Sequence, residues 1–271
     1  MRSETFKTAG DVRLELEIPA GRIEIETADT DETRVELEAL SDSMRDLVEE
    51  ARIGSTRRGD QDEVIVSVRE RRGFFLSFDR AEILIRVTCP YGAELDVRTK
   101  SADVEAHGQY GSAEIKTASG DVELQEAHGD VRVKTASGDV RVETVRGRLD
   151  VNSASGDLNV DNVGGETSVQ LVSGDLYIRE AGDSVRANTV SGDQRLEAVS
   201  KGRMDLHAIS GDIGVGIRRG SRLYVDANTL SGATSSELDL GDAPASARDE
   251  DAPLVELFAK TVSGDVRIER A

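Results

Sequence analysis

The sequence has 271 residues, of which 32% are charged, and its formal net charge is -19 at pH 7. No apolar run reaches the length of a membrane span, and so acidic a surface repels nucleic acid and anionic lipid. A transmembrane segment and broad nucleic-acid binding are therefore excluded. Aromatic residues make up 3%, Trp is absent, and 26 glycines stand beside 4 prolines, a composition that predicts a β-rich, turn-rich protein.

The first residues lack the cationic and apolar segments of a secretory signal, so we expect a cytoplasmic protein. Cys89 is the only cysteine, which rules out an internal disulfide and fits a reducing compartment. We expect this thiol to pack in the core.

Residues 1–90 alternate apolar and polar side chains without a fixed period. The alternation predicts short strands with one buried face, separated by turns at Gly10-Asp11 and Ala20-Gly21. A short amphipathic helix is predicted from the capping residues Ser41-Asp42-Ser43 to about Ala51. We therefore predict a β-rich N-terminal cap that is continuous with the repeats that follow and shields their first edge. The apolar strand positions are Val12, Leu14, Leu16, Ile23, Ile25, Val35, Leu37, Val64, Val66, Val68, Ile83, Ile85 and Val87.

A basic stretch rich in phenylalanine, residues 69–78, is the most distinctive part of this cap. It holds three of the five phenylalanines of the chain beside a cluster of arginines. The favoured interpretation is that the rings pack in the core under the cap. If they stand instead on a hairpin tip, they form an exposed apolar patch, which marks an interaction site. The candidate partner contact comprises Arg71, Arg72, Phe74, Phe75 and Phe78.

Self-similarity determines the rest of the fold. The tripeptide Ser-Gly-Asp recurs at intervals of 18 or 19 residues, with a degenerate copy at Ser101 and a late copy at Ser263. A second glycine turn lies midway between copies, at Gly111, Gly129, Gly147 and Gly165. Each repeat therefore reads as turn, strand, turn, strand. The structural turn repeats are Ser119, Gly120, Asp121, Ser137, Gly138, Asp139, Ser155, Gly156, Asp157, Ser173, Gly174, Asp175, Ser191, Gly192, Asp193, Ser210, Gly211 and Asp212.

Apolar residues at equivalent positions of successive repeats form columns. One repeat cannot enclose its own apolar face, but repeats stacked in register bury a continuous core. We therefore predict an all-β fold, a parallel β-solenoid built as a single-stranded, right-handed β-helix of 18-residue coils over residues 91–271. One column contains Val104, Val122, Val140, Leu158, Leu176 and Ile213, the next contains Leu124, Val142, Val160, Ile178, Leu196 and Val215, and a third contains Ala127, Val145, Val163, Ala181 and Val199.

The repeated Ser-Gly-Asp has a structural and a metal-binding interpretation. Glycine reaches positive φ without a Cβ clash, and Ser and Asp side chains can bond backbone groups that a corner leaves unpaired. A column of carboxylates can instead attract divalent cations, but Ca²⁺ needs several oxygens that converge on one point. We favour the structural interpretation and predict neither a metal nor a cofactor.

Two outward columns carry the polar surface of the repeats. In the first, opposite charges lie on adjacent coils, which predicts pairs that hold the register. The second changes from basic residues to amides, and we favour a solvated face over a ligand strip because no aromatic platform accompanies it. The first column is Glu114, Arg132, Asp150, Ser168, Arg186 and Asp205, and the second is Lys116, Lys134, Asn152, Gln170, Asn188 and His207.

Beyond Gly211 the period loosens. Leu223 and Val225 begin a longer strand, and residues 240–253 form an acidic insertion that we expect to be a mobile surface loop. The chain then re-enters the stack and ends with a strand whose Arg267, Glu269 and Arg270 are expected to protect the final edge against strand addition.

Three features of the sequence are specific as a set. They are the serial units KTASGDV, SASGDL and TVSGDV, the segment FFLSFDRAEILIRVTCPYGAEL that leads into the repeats, and the closing KTVSGDVRIER. With them the chain resembles, over nearly its whole length, the bacterial putative-adhesin β-strand-repeat family, a toastrack-like domain of unknown function. The resemblance implies a β-solenoid without established enzymatic activity, attached in some relatives to membrane or envelope-stress proteins.

Residues that would indicate an enzyme are few. His107, His128 and His207 have no metal-ligand spacing, and neither a nucleophile elbow nor a phosphate-binding loop is present. We predict a non-catalytic, adhesin-like solenoid that acts as a scaffold or protein-interaction module, with a protein partner or a second copy as its ligand. The alternatives are a cell-surface or glycan-binding adhesin, a self-assembling cytoplasmic filament and, less favoured, a polysaccharide-active β-helix enzyme.

Overall fold

The computed structural model describes residues 1–8, 10–68, 83–237 and 252–271. Within these ranges the chain forms two compact units, Met1–Val140 and Arg141–Ala271. Most strands in each unit pair in parallel with strands one coil away, which confirms the predicted all-β parallel solenoid. The α-helix of the described residues lies in the first unit, as predicted.

In its described residues, the first unit contains ten complete strands and a short helical segment. A 3-10 turn, Asp42–Met44, leads directly into the helix α1, Arg45–Glu50. Met44 of the turn and Val48 of the helix are buried. The strands are β1 Arg2–Lys7, β2 Asp11–Ala28, β3 Glu32–Ala39, β4 Arg52–Arg58, β5 Gln61–Ser67, β6 Ile83–Pro90, β7 Glu94–Tyr110, β8 Ala113–Lys116, β9 Val122–Ala127 and β10 Val131–Ser137.

The long strand β2 occupies the middle of the first unit. On one side it pairs in parallel with β7 along most of its length. On the other side its first half pairs with β5 and its second half with β6. The two halves meet at Gly21, whose φ is +123° and whose register partner in β7 is Ala102, within the degenerate copy of the repeat. The repeat geometry therefore begins before the recognisable Ser-Gly-Asp copies.

Antiparallel strands complete the first unit. β4 pairs antiparallel with β5, β3 with β6, and β1 with β3. The sequence pattern predicted β3, β5, β6 and the β-rich cap, but it did not predict β1 or β4. The change from parallel to antiparallel pairing carries no signal in the apolar alternation. The predicted boundary near residue 90 stays a prediction.

The second unit consists of two stacks of parallel strands. The strand bounds are β11 Val140–Val145, β12 Leu149–Ser155, β13 Leu158–Val163, β14 Thr167–Ser173, β15 Leu176–Ala181, β16 Val185–Ser191, β17 Gln194–Val199, β18 Gly202–Ser210, β19 Ile213–Ile217, β20 Arg222–Ser231, β21 Thr234–Ser236, β22 Leu254–Ser263 and β23 Val266–Arg270. The first stack, in spatial order, is β12, β14, β16, β18, β22 and β20. The second stack is β11, β13, β15, β17, β19, β23 and β21.

The predicted apolar columns form the core. Leu158 lies opposite Leu176, and Val163 lies opposite Ala181, each pair one coil apart. Gln194 is an exception, because it stands in the column between Leu176 and Ile213 and is only 1% exposed. Its Nε2 donates hydrogen bonds to the Thr189 hydroxyl at 2.9 Å and to the His207 carbonyl at 2.8 Å. Two bonds thus satisfy the amide nitrogen, whereas the buried Oε1 has no hydrogen-bond partner among the described residues, so burial of this amide is only partly compensated.

The order of the last coils differs from the sequence prediction. β22 lies between β18 and β20, and β23 lies between β19 and β21. The prediction that Arg267, Glu269 and Arg270 protect the final edge is therefore wrong, since β23 pairs with β19 on one side and, at Val266–Ile268, with β21 on the other. The physical reason is that the chain passes through the segment 238–251 before it returns, so sequence order does not fix spatial order there.

Candidate interaction surface

Each Ser-Gly-Asp corner is fixed by its glycine. Gly120, Gly174 and Gly192 have φ values of +147°, +131° and +140°. A Cβ on Gly192 would lie 2.0 Å from the carbonyl oxygen of Gly174 in the preceding coil. No side chain fits there, because the backbone of one corner rests directly on the next.

The aspartates of the corners form a ladder of hydrogen bonds from one coil to the next. The Asp121 Oδ1 accepts from the backbone N–H of Asp139 at 2.9 Å. The Asp212 Oδ1 accepts from the N–H of Asp265 at 2.8 Å, and the Asp265 Oδ1 accepts from Ala233 at 2.9 Å. This last bond, assisted by Arg267, lowers the pKa of Asp265. The carboxylates therefore serve backbone donors, as the structural interpretation requires.

No cluster of three or more His, Cys, Asp or Glu side chains able to hold a metal ion occurs in the part of the chain that the structure describes. In the same ranges, no helix is both long enough and apolar enough to cross a membrane.

A row of exposed aliphatic side chains runs across the first stack. Each member directly precedes a corner serine, and these serines are in register from β14 to β20. Adjacent strands lie about 4.8 Å apart, so the row is roughly 19 Å long. We call it the aliphatic row, and its members with their exposed fractions are Val172 54%, Val190 44%, Ile209 54%, Val262 47% and Leu230 83%.

The predicted polar column lies beside the aliphatic row. Asn188 is in register with His207, and His207 is in register with Lys260. Lys260 is followed by Asn228 of β20. This column supplies amide, imidazole and ammonium donors along one side of the aliphatic row.

An aromatic pair lies further along the same outward face. The rings of Tyr224 in β20 and Phe258 in β22 are 5.8 Å apart, and the Arg203 guanidinium lies 4.1 Å from the centre of the Phe258 ring. Arg203 also donates to both oxygens of Asp205, at 2.9 and 3.1 Å, and this interaction lowers the pKa of Asp205. Sequence analysis missed this cluster because it depends on the spatial order of β18, β22 and β20.

The predicted charge column gives one observed pair within the second unit. Arg186 lies 3.7 Å from Asp205 of the next coil. In the first unit, Glu114 is in register with Arg132, but its strongest partner is Lys116 of its own strand, which lowers the pKa of Glu114. Pairs within a strand thus contribute alongside the predicted pairs between coils.

A shallow groove of about 350 Å³ lies on the second stack. Its floor includes Gly214 and Gly216, and charged side chains form its walls. Arg195 lies 3.9 Å from Glu197 and 3.9 Å from Glu269. Because these charges pair with one another, we assign the groove to the solvated charged surface.

The predicted partner contact at Arg71, Arg72, Phe74, Phe75 and Phe78 lies outside the described residues. The acidic insertion, residues 240–253, lies outside them too except for its last two positions. Neither prediction is tested by the structure.

Comparison with known proteins identifies the family. The Toastrack DUF4097 family model matches residues 12–239, which is most of the chain. The chain belongs to the Toastrack family. The matched range extends from β2 to just beyond β21, so β22 and β23 of this toastrack protein lie past it.

Solved structures similar to this toastrack chain are distant in sequence. A putative adhesin from Bacteroides fragilis is 12% identical, with 98% of this chain and 96% of that chain covered and a TM-score of 0.49. A putative adhesin from Parabacteroides distasonis is 11% identical, with coverages of 98% and 96% and a TM-score of 0.42. No curated protein matches the chain. The family assignment therefore rests on the sequence match.

Proposed function

We propose that this toastrack protein is a non-catalytic scaffold that binds a protein partner along its aliphatic row. The observation that carries the proposal is the row itself, five aliphatic side chains in register on one outward face, each at least 44% exposed. An ordered apolar row on a protein of net charge -19 is typical of a surface that another molecule covers.

The row supplies enough apolar surface for binding. Full burial of one Val, Leu or Ile side chain is worth about 1.5–3 kcal/mol. Four of the five side chains in the row are already about half buried, whereas Leu230 is 83% exposed. Together the five therefore contribute several kcal/mol, before the cost of association is subtracted. The polar column gives the same partner hydrogen bonds through Asn188, His207 and Lys260, which adds specificity rather than affinity.

The backbone beneath the row supports such a role. The aspartate ladder and the stacked glycine corners lie directly after the row in each coil. They hold the row members at fixed spacing in the free protein, so little conformational entropy is lost when a partner binds. Pre-organisation of this kind favours affinity.

The test is a capture experiment followed by a titration. The full chain is immobilised and exposed to host extract, and each captured protein is purified and titrated. We expect Val190→Lys to weaken the interaction at least about tenfold, because it places a charge in the middle of an apolar contact. Asn159→Lys, at an exposed position of β13 in the second stack, is the matched control and should bind as the wild type does.

Two results would overturn the proposal. One is that Val190→Lys and the wild type bind every purified partner equally. The other is that the wild type binds glycans and no protein, which would support the glycan-binding adhesin instead. The proposal includes the cytoplasmic location expected from the sequence, which immunolocalisation in the host checks.

A further inference from the structure

Among the residues that the structure describes, the strand β20 is an open edge of the first stack. Among the described residues it pairs with one strand, β22. The backbone N–H of Arg222 donates to the Pro253 carbonyl at 2.9 Å, so even-numbered residues direct their polar backbone groups towards β22. Because these groups alternate along a strand, the N–H and C=O of Leu223, Val225 and Ala227 point away from β22. β20 thus presents backbone donors and acceptors to its open side.

The apolar core is also incompletely covered at β20. Val255 and Leu257 of β22 have no exposed surface. Their register partners in β20, Leu223 and Val225, are only partly buried. A further strand beside β20 would bury Leu223 and Val225 as fully as Val255 and Leu257 of β22 are buried.

Edge protection differs between the two units. The edge strand β4 carries the exposed arginines Arg52, Arg57 and Arg58, and charged side chains on an edge strand oppose strand addition. β20 has an exposed arginine only at its first position, Arg222, and it exposes two large apolar side chains, Tyr224 at 56% and Leu230 at 83%. Of these edges, β20 is the one suited to receive another strand.

We infer that two copies of this chain associate by antiparallel pairing of their β20 strands around a twofold axis. A twofold axis makes the same strand of each copy meet its mate in the opposite direction, so one edge serves both subunits. The inference goes beyond the proposed function, because it concerns a different partner and its tests need no other protein.

One register suits this pairing. With Ala227 opposite Ala227 of the partner subunit, Tyr224 lies opposite the partner's Leu230, and Asp226 lies opposite the partner's Asn228. Aromatic and aliphatic side chains on directly opposite residues stabilise a strand pair. Two adjacent registers keep the same side chains outward. One places Asp226 opposite the partner's Asp226, which is destabilising, and the other moves Tyr224 opposite the partner's Gly232, beyond the end of β20, so the aromatic–aliphatic pair is lost.

The association stops at two copies. Pairing occupies β20 in both subunits, and a filament requires a second open edge. In the described ranges, β4 carries its arginines and β1 carries Arg2 and Lys7. The remaining edge strand of these ranges, β21, pairs with β23 alone and is three residues long, and so short an edge disfavours strand addition. The inference therefore predicts a dimer and contradicts the filament that the sequence left open.

Light scattering after size exclusion tests the dimer on the full chain over roughly 1–200 μM. The expected limiting mass is twice the 29.2 kDa of one chain. Val225→Pro and Leu230→Lys should each weaken association at least about tenfold. The proline costs no bond within the chain, because the N–H that it removes faces the open edge. Leu40→Lys, at an exposed leucine of the first unit, is the control and should leave the dimer intact.

Three results would overturn the inference: a wild type that stays monomeric, a dimer that both variants preserve, or a mass that grows beyond two chains. If Val225→Pro does not fold, Leu230→Lys decides, since a side chain that is 83% exposed contributes little to folding.

A cysteine cross-link tests the register. Residues opposite each other in a hydrogen-bonded antiparallel pair have Cα atoms about 5.5 Å apart, within the range of a disulfide. Ala227→Cys should therefore form a covalent dimer on mild oxidation. Thr229→Cys is the control, because it would lie roughly 14 Å from its mate and should not cross-link. The native Cys89 has no exposed surface and does not interfere. Efficient cross-linking of Thr229→Cys in place of Ala227→Cys would refute the register.

Discussion

Asp175 and Asp193 are joined across one coil, since the Oδ1 of Asp175 accepts a hydrogen bond from the backbone N–H of Asp193 at 2.8 Å. The Oδ1 of Asp193 in turn accepts from the N–H of Asp212 at 2.7 Å. These bonds continue the ladder of the strands through the corners, where chain direction changes and strand pairing stops. The regular spacing of the tripeptide along the chain thus has a local cause. Each aspartate must accept a hydrogen bond from the backbone N–H of the equivalent aspartate one coil later.

Replacement of Asp175 tests whether its acceptor oxygen or its charge matters. Asp175→Ala leaves the Asp193 N–H to water and should lower the free energy of unfolding by about 0.5–1.5 kcal/mol. Asp175→Asn keeps an Oδ1 acceptor and removes one negative charge from a chain of net charge -19, so it should cost clearly less. Urea unfolding followed by circular dichroism measures both. Equal losses in the two variants would show that the charge, not the acceptor, stabilises the corner.

Substitution by alanine should change the free energy of unfolding in opposite directions at two glycines. Gly192→Ala should lower the free energy of unfolding by at least about 2 kcal/mol, because the new Cβ meets the Gly174 carbonyl at 2.0 Å and φ is +140°. Gly214→Ala is the control, since its Cβ would meet only the Arg195 side chain, at 3.9 Å. It should change stability by less than about 1 kcal/mol, and in the stabilising direction. Thermal unfolding compares the two, and equal stability would contradict the stacked-corner geometry.

The repeat period predicted which residues lie together in the core. Leu158 and Leu176 are 18 positions apart and pair as neighbours one coil apart. The period did not predict that β22 lies next to β18. Val225 of β20 and Leu257 of β22 are both aliphatic, so the pattern allows either as the neighbour of Met204 in the column. An apolar column specifies the position of a residue within its coil, but it does not specify the order in which the coils are stacked. That order depends on the return path of the chain.

The candidate surface was only partly predictable. The polar column was identified from the period, whereas the aliphatic row was overlooked, although its signal is present in the sequence. The residue before each corner serine is alanine at Ala118, Ala136 and Ala154 and is a larger aliphatic from Val172 onward. Strand alternation shows that this position faces outward, so a branched side chain there is an exception to the pattern. The Tyr224–Phe258 contact has no such signal, because it follows from the unexpected coil order.

Acid should remove the contribution of Asp205 to stability. Its pKa is lowered, chiefly by the hydrogen bonds from Arg203, relative to an ordinary value of 3.8. A carboxyl group with a lowered pKa in the folded state stabilises above its unfolded pKa, and this stabilisation is lost as the pH falls through the folded value. The difference in free energy of unfolding between wild type and Asp205→Asn should therefore be constant above about pH 5 and shrink below 3.8.

Arg203→Gln gives the control for Asp205, because it removes the other partner of the same ion pair. The Asp205→Asn substitution made in that background should show a much weaker pH dependence. If the pH dependence is unchanged, the pKa of Asp205 is lowered by a different neighbour.

Cys89 should be inert in the folded protein and reactive only after unfolding. Its side chain has no exposed surface, and burial raises the pKa of the thiol to about 12. Since the thiolate is the reacting species, both its accessibility and its population are low at pH 8. A thiol reagent such as Ellman's reagent should therefore modify no cysteine in the native chain and one in urea. Hydrogen–deuterium exchange of β6, where Cys89 lies, provides the control, because its protection should disappear over the same urea range. Fast modification under native conditions would show that β6 opens locally, which the full burial of Cys89 and the pairing of β6 with both β2 and β3 argue against.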